Sequence, residues 1–299
     1  MPIHASSHRG TWLGLLAVIL WSAVPPLIRL LSENFGPIGG AALMYSVSAA
    51  LLAAVLGWPR LRDFPPRYLL LGGGLFACYE IALALALGFA QNRMQAIELG
   101  IVNYLWPCFT VLMAVAFNGQ RAGPLLLPGL CLSLLGVAWI MSGGALSPAG
   151  ILRNALQNPL SYSLALAGAL LWAAYCTFTK RLSQGKNGIA PFFALTALAL
   201  WLQYGLSRES LAMPALSSIA ILLLAAVVMA AGYAAWNIAI AEGNMMLLVA
   251  ASYSTPVLSS ALASAILSTA LSFAFWQGAA MVAAGSLLCW RSTRPARAA

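Results

Sequence analysis

The chain has 299 residues, 62% of them hydrophobic and only 7% charged, with a formal net charge of +9. A soluble domain carries about 25% charged residues, so the composition excludes a water-soluble fold and marks an integral membrane protein. The basic excess lies between apolar runs, where it orients helices, and gives no reason to expect a nucleic-acid partner.

Residues 1–10 form a polar tail holding His4 and His8, which offers no plausible metal site. Spanning a bilayer core takes about 20 apolar residues, and ten runs of that kind follow: 11–31, 37–57, 66–90, 95–117, 124–142, 160–182, 189–207, 216–241, 245–267 and 271–290. Gly36-Pro37, Pro65-Pro66, Gly123-Pro124, Ser147-Pro148, Asn158-Pro159, Gly188 and Met213-Pro214 divide them. The first run is too long for a signal peptide and no small-residue cleavage site follows, so it is expected to stay. Five cysteines, Cys78, Cys108, Cys131, Cys176 and Cys289, lie inside the runs without a CxxC pair and read as small packing residues.

The chain repeats itself. Asn103-Tyr104-Leu105-Trp106-Pro107 and Ser252-Tyr253-Ser254-Thr255-Pro256 stand 149 residues apart, as do Gly129 with Gly278 and Gly136 with Gly285. Leu20-Trp21-Ser22-Ala23 and Leu171-Trp172-Ala173-Ala174 stand 151 apart. This divides the chain into a five-helix repeat over 11–142, a linker over 143–159 and a second five-helix repeat over 160–290. Five is odd, so the second copy enters the membrane from the opposite side. The expected fold is all-α and membrane-integral, with ten transmembrane helices as two inverted repeats. Eleven of the 15 Lys and Arg fall on the side of the N-terminus; Arg29, Arg93, Arg153 and Arg208 fall on the other. That bias predicts cytoplasmic tails over 1–10 and 291–299.

Polar and aromatic residues at mid-span are the candidates for function, because they are costly in lipid unless they line something. On a continuous helix Asn103, Trp106, Pro107 and Thr110 share a face, and Ser252, Thr255, Pro256 and Ser259 share its counterpart. Each proline also frees a carbonyl four residues back; the alternative is a kink satisfied by neighbouring hydroxyls. Trp21, Trp106 and Trp172 lie far from either interface, and with Tyr79, Tyr104, Tyr175, Tyr233, Tyr253 and Trp236 they are read as an aromatic cavity or as core packing. Glu80 is the single acid near the centre of a span. It is either a proton-coupling group, a contact for a substrate ammonium, or a neutral acid bonded to a tyrosine. Glu98 lies one turn into the fourth run, and Glu242 near a helix end. No Lys or Arg lies at mid-span, which argues against carriers of phosphorylated solutes. With both histidines in the tail, no hydrolase set is visible.

The ten spans, the Leu-Trp start of each copy, the mid-span proline of each fourth helix and the Gly-x6-Gly of each last helix resemble the drug/metabolite transporter superfamily, EamA type. Cys78-Tyr79-Glu80-Ile81 and Asn103-Tyr104-Leu105-Trp106-Pro107 more narrowly resemble its aromatic amino-acid exporters. The resemblance implies an inner-membrane exporter with a central cavity in which Tyr104, Trp106 and Trp172 are wall residues. Many such chains end each fourth helix in Gly-Glu; here Gly119-Gln120 and Ser268-Thr269 stand instead. The expected substrate-binding residues are Trp21, Tyr79, Glu80, Asn103, Tyr104, Trp106, Trp172, Tyr175 and Tyr253, with Pro25, Pro26, Pro107 and Pro256 as kink or gating positions. The expected partners are an aromatic or hydrophobic amino acid and the lipid bilayer, with no cofactor, no metal, and the oligomeric state left open. Alternatives are a proton-coupled drug or metabolite exporter using Glu80, and a non-transporting membrane scaffold.

Overall fold

The computed structural model describes residues 8–211 and 214–293; His4, Met213, Arg294, Arg297 and most of both tails lie outside them. Every regular element among the described residues is helical. In chain order they are α1 (His8–Phe35), α2 (Pro37–Leu56), α3 (Gly73–Gly88), α4 (Arg93–Asn103), α5 (Trp106–Asn118), α6 (Leu126–Met141), α7 (Pro148–Gln157), α8 (Pro159–Leu182), α9 (Ile189–Leu206), α10 (Leu216–Glu242), α11 (Met245–Ser252), α12 (Thr255–Ile266) and α13 (Phe273–Ser292). A 3-10 turn at Leu61–Asp63 and a π turn at Tyr68–Gly72 precede α3.

Eight of these helices, counting Tyr68–Gly88 and Arg93–Asn118 as one each, are long and apolar enough to cross a membrane. The pair Met246–Ser252 and Thr255–Ile266, bent by 48°, makes a ninth span if it is one; Leu126–Met141 is a shorter apolar helix. In lipid each helix satisfies its own backbone, so boundaries fall where a cap or proline stops the ladder. Asn92, Ser147, Asn158, Asn244 and Ser272 each accept a backbone N–H of the first turn that follows. Helix α2 begins after Gly36, which has no side chain to cap with. Glu209 serves instead, accepting from Ile38 N and Gly39 N at 3.1 Å each.

Both repeated motifs fall on helix breaks. Asn103 ends α4 and Trp106-Pro107 opens α5; Ser252 ends α11 and Thr255-Pro256 opens α12. The prolines therefore sit in a first turn, where a missing N–H removes no helical bond. The single continuous face expected for Asn103, Trp106, Pro107 and Thr110 is thus divided between two helices. Pro25 and Pro26, by contrast, lie inside the unbroken α1.

The linker expected over 143–159 contains α7. That helix turns Leu152 and Leu156 outward, while Asn154 donates to Glu98 Oε2 at 3.1 Å and to the Met141 carbonyl at 3.2 Å. All five cysteines are free thiols. Cys108 and Cys289 do pack in the interior, with Sγ atoms 3.4 Å apart, but Cys78 and Cys131 stand on outward surfaces.

The helices pair across the chain: α1 packs mainly on α10, α2 on α9, α3 on α8 and α6 on α13. The last seam runs on glycine. A Cβ on Gly129 would meet the Gly285 carbonyl at 2.7 Å, and one on Gly136 would meet the Gly278 carbonyl at 2.7 Å. Such backbone contact is how helices associate where lipid supplies no hydrophobic drive.

Candidate functional site

Between these pairs lies a cavity of about 330 Å³, within the size range of small-molecule sites. It reaches from Leu83 and Gly100 on one side to Trp236 and Val249 on the other. The helix breaks build its wall: Asn103, Tyr104 and Trp106 come from the α4–α5 junction, and Ser252, Tyr253 and Thr255 from the α11–α12 junction. A straight helix would turn one face there; each break turns two consecutive residues, Asn103-Tyr104 and Ser252-Tyr253, toward the opening.

Eight of the nine residues expected to bind substrate line this cavity: Trp21, Tyr79, Glu80, Asn103, Tyr104, Trp106, Trp172 and Tyr253. Tyr175 does not. It lies behind Trp172, stacked on it with ring centroids 5.1 Å apart and planes 19° apart, and supports the wall from outside. Of the expected kink positions Pro25 lines the cavity, while Pro26 lines only a narrow cleft beside it. Pro107 and Pro256 are buried and line neither. The Ser252 carbonyl accepts from the Thr255 hydroxyl at 2.5 Å, so a neighbouring hydroxyl and not a ligand occupies it.

The aromatic residues form two groups. Trp172 packs on Tyr79 at 4.6 Å and stands edge-on to Trp106 at 6.4 Å. Opposite, Trp21 packs on Tyr233 at 5.2 Å and on Trp236 at 5.1 Å. Gly232 makes the second group possible, since a Cβ there would lie 3.1 Å from Trp21 Nε1.

Glu80 sits between the groups, 1% exposed. Tyr45 OH donates to its Oε2 at 2.6 Å and Tyr233 OH donates to its Oε1 at 2.5 Å. A buried carboxyl is costly without such partners. The tyrosine-bonded acid among the sequence alternatives is thus the observed geometry, and Tyr45 is the partner that sequence reasoning missed. Tyr45 is fully buried and 35 positions from Glu80, with nothing local to link them. Val24, Leu83, Gly100, Cys176 and Met229 also line the cavity and carried no signal beyond apolarity or small size.

Two buried polar atoms on lining residues lack a partner: Trp21 Nε1, a donor, and Asn103 Oδ1, an acceptor. Among the described residues no Lys, Arg or His lines the cavity. At the end of the bundle near Phe35, charges gather instead. Arg93 grips Glu33 at 2.7 Å and donates to the Leu267 carbonyl at 3.0 Å, joining α1, α4 and the end of α12. Arg29 meets the same Glu33 at 2.9 Å and the Ala90 carbonyl at 2.5 Å. Nearby Glu98 accepts from Tyr162 OH at 2.8 Å as well as from Asn154. Among the described residues no cluster of His, Cys, Asp and Glu has the arrangement to hold a metal.

A bundle of spanning helices around a cavity lined by aromatic groups and free of fixed cations defines a multi-pass membrane protein with a small-molecule site. The chain belongs to the EamA-like transporter family, whose profile matches residues 8–142 and 159–291; it is a transporter and not an enzyme. It is 51% identical over 290 residues to the aromatic amino acid exporter YddG of Salmonella typhimurium, covering 97% of this chain and 99% of that one. It is 50% identical to the exporter of the same name from Escherichia coli, covering 96% and 98%. A crystal structure with 25% identity superposes with a TM-score of 0.65, covering 97% of this chain and 98% of that one.

Proposed function

We propose that this chain exports aromatic and other hydrophobic amino acids across the bacterial inner membrane, working as a secondary carrier by alternating access. One observation carries the reading: the cavity sets two aromatic groups around an unpartnered donor and an unpartnered acceptor. A free amino acid has that composition. Its ring stacks against Trp172, Trp106 and Tyr79, or against Trp21. Its carboxylate accepts from Trp21 Nε1, and its ammonium donates to Asn103 Oδ1 and toward Glu80. Tyr104 and Tyr253 close the wall, and Tyr175 holds Trp172 in place. The names of the relatives agree with this substrate class.

The architecture that suits the reading is ten spans in two inverted repeats, with 143–159 as the linker and both termini cytoplasmic. Leu126–Met141 and the bent α11–α12 pair then each count as one span. Two packing facts support it. Exchanging the copies turns the α1–α10 pair into the α8–α3 pair, and both pairs exist. The same exchange turns the Gly129–Gly285 contact into Gly278–Gly136, and both contacts exist. The junctions at Pro107 and Pro256, with Pro25 and Pro26 in α1, are the places where helices bend as the cavity changes sides. In this orientation the Arg93–Glu33–Leu267 cluster lies on the outer face and seals it, so the cavity described here is closed to the outside.

The test is flux from liposomes holding the purified protein and labelled tryptophan. Saturable efflux that unlabelled phenylalanine competes for is expected. Efflux equal to protein-free liposomes would overturn the reading and favour a scaffold. Imposing a pH gradient tests the second reading, a proton-coupled exporter using Glu80, which the burial of that acid in the cavity wall favours. Tryptophan flux that follows the gradient and vanishes in Glu80→Gln would establish it.

A further inference from the structure

We propose that a recess at the N-terminal face of the bundle, away from the central cavity, binds the headgroup of an anionic phospholipid. It measures about 390 Å³ and lies between the connection after α2 and the connection before α9. Trp58, Arg60, Asp63, Phe64, Lys186 and Asn187 supply its chemistry. Two cations meet one acid there, and neither cation is spent. The ion pairs among the described residues are those of Glu33 with Arg29 and Arg93, at the far end of the helices. Asn187 uses its side-chain oxygen on Ile189 N at 3.0 Å, which leaves its NH2 group to donate.

The depth of the recess selects the ligand. Helix α2 ends at Leu56 and α9 begins at Ile189, both of them spanning helices, so the recess lies at the level of the lipid phosphates. Its apolar rim makes the same point: Trp58 is 56% exposed and Leu56 38%, surface that lipid covers comfortably. The walls are built by sharp turns at Gly57 and Gly185, with φ of +79° and +80°, where a side chain would be strained. A phosphodiester here has two cations and an amide to accept from. A zwitterionic headgroup brings its own ammonium beside Arg60 and Lys186, and loses most of that gain. Each surface Lys or Arg strengthens binding of anionic lipid several-fold, so removing two should lower the preference by about tenfold or more.

The experiment uses the full chain in detergent, titrated separately with phosphatidylglycerol and phosphatidylcholine, with bound lipid counted by native mass spectrometry. The variant is Arg60→Gln with Lys186→Gln. The control is Arg9→Gln with Arg291→Gln, which removes two exposed cations of the same bundle end outside the recess. Unchanged melting temperatures in phosphatidylcholine verify that both pairs fold. The expected result is an about tenfold loss of phosphatidylglycerol retention in the recess variant alone, with phosphatidylcholine unaffected. Equal loss in the control would assign the effect to overall charge and overturn the site, as would no loss in either. Displacement of the lipid by inorganic phosphate at millimolar concentration would assign the recess to a soluble phosphate and overturn the lipid as its occupant. No outcome depends on transport, so the result stands apart from the export reading.

Discussion

Glu80 is the residue on which the centre of the molecule turns, and its two tyrosines define what its substitution does. Tyr45 and Tyr233 each donate to one carboxyl oxygen. In Glu80→Gln the amide oxygen still accepts from one phenol, and the amide nitrogen donates to the other. We therefore expect the Gln variant to fold normally and keep most of its tryptophan efflux in liposomes; a well-expressed but inactive variant would show that the charge itself is needed. Tyr45→Phe is the harsher change, because it strips a donor from a buried carboxyl. It should cost about 1–3 kcal/mol of stability, seen as a lower melting temperature in detergent. Trp172 tests recognition. Truncating a large core aromatic costs about 3–5 kcal/mol in soluble proteins, so folded yield must be matched first. At matched yield, Trp172→Ala should lose tryptophan and phenylalanine flux far more than alanine or threonine flux, and Trp172→Phe should keep a fraction of all of them. Equal loss for every substrate would mean that the ring packs or gates and does not recognise.

The helix breaks show how much of the site was legible in advance. The aromatic and polar residues of the two motifs stood out because lipid penalises them, and eight of nine reached the cavity wall. Their backbone did not stand out: a proline at mid-span reads as a kink in one helix, and only tertiary packing makes it the first turn of another. Tyr175 shares a helix face with Trp172, as the i, i+3 spacing implies, but stacks on it one turn further along and so misses the cavity. Helix α7 hid in a stretch too short and too polar to stand out, held by Asn154 bonding to a residue 56 positions away. Two contrasts at this scale are measurable. Gly285→Val drives a side chain into the Gly129 carbonyl, 2.5 Å from where its Cβ would lie, and should cost several times the about 1–3 kcal/mol typical of overpacking. Gly100→Ala, with nothing within 4 Å of its Cβ, should fold as the parent does, and detergent melting curves compare the two. Arg93→Gln removes the tie from Glu33 and the α12 terminus. It should raise the labelling rate, by a membrane-impermeant thiol reagent, of a cysteine introduced at Ile97 in the narrow cleft below.

At the scale of the whole chain, composition alone established a membrane protein and the internal repeat matched Gly129 with Gly278 and Gly136 with Gly285, but the pairing of α6 with α13 is visible only in the packing. Orientation rests on Lys and Arg counts. A reporter active only in the cytoplasm, fused after Ala299, should be active; activity from a periplasmic reporter at the same place would reverse every inside and outside assignment above.

The charge layout of the cavity has an electrical consequence. Moving one elementary charge across the membrane is worth about 2.3 kcal/mol per 100 mV. Among the described residues the cavity has no cation on its wall, and the acid there, Glu80, is clasped by two phenols on packed helices. A zwitterionic passenger adds no net charge of its own. Carrier and cargo then give the membrane potential no handle, so flux should run at the same rate at 0 mV as under a potassium diffusion potential. For the export proposed above, the concentration ratio of the amino acid alone would then set the direction of flux, and an imposed voltage would leave it unchanged.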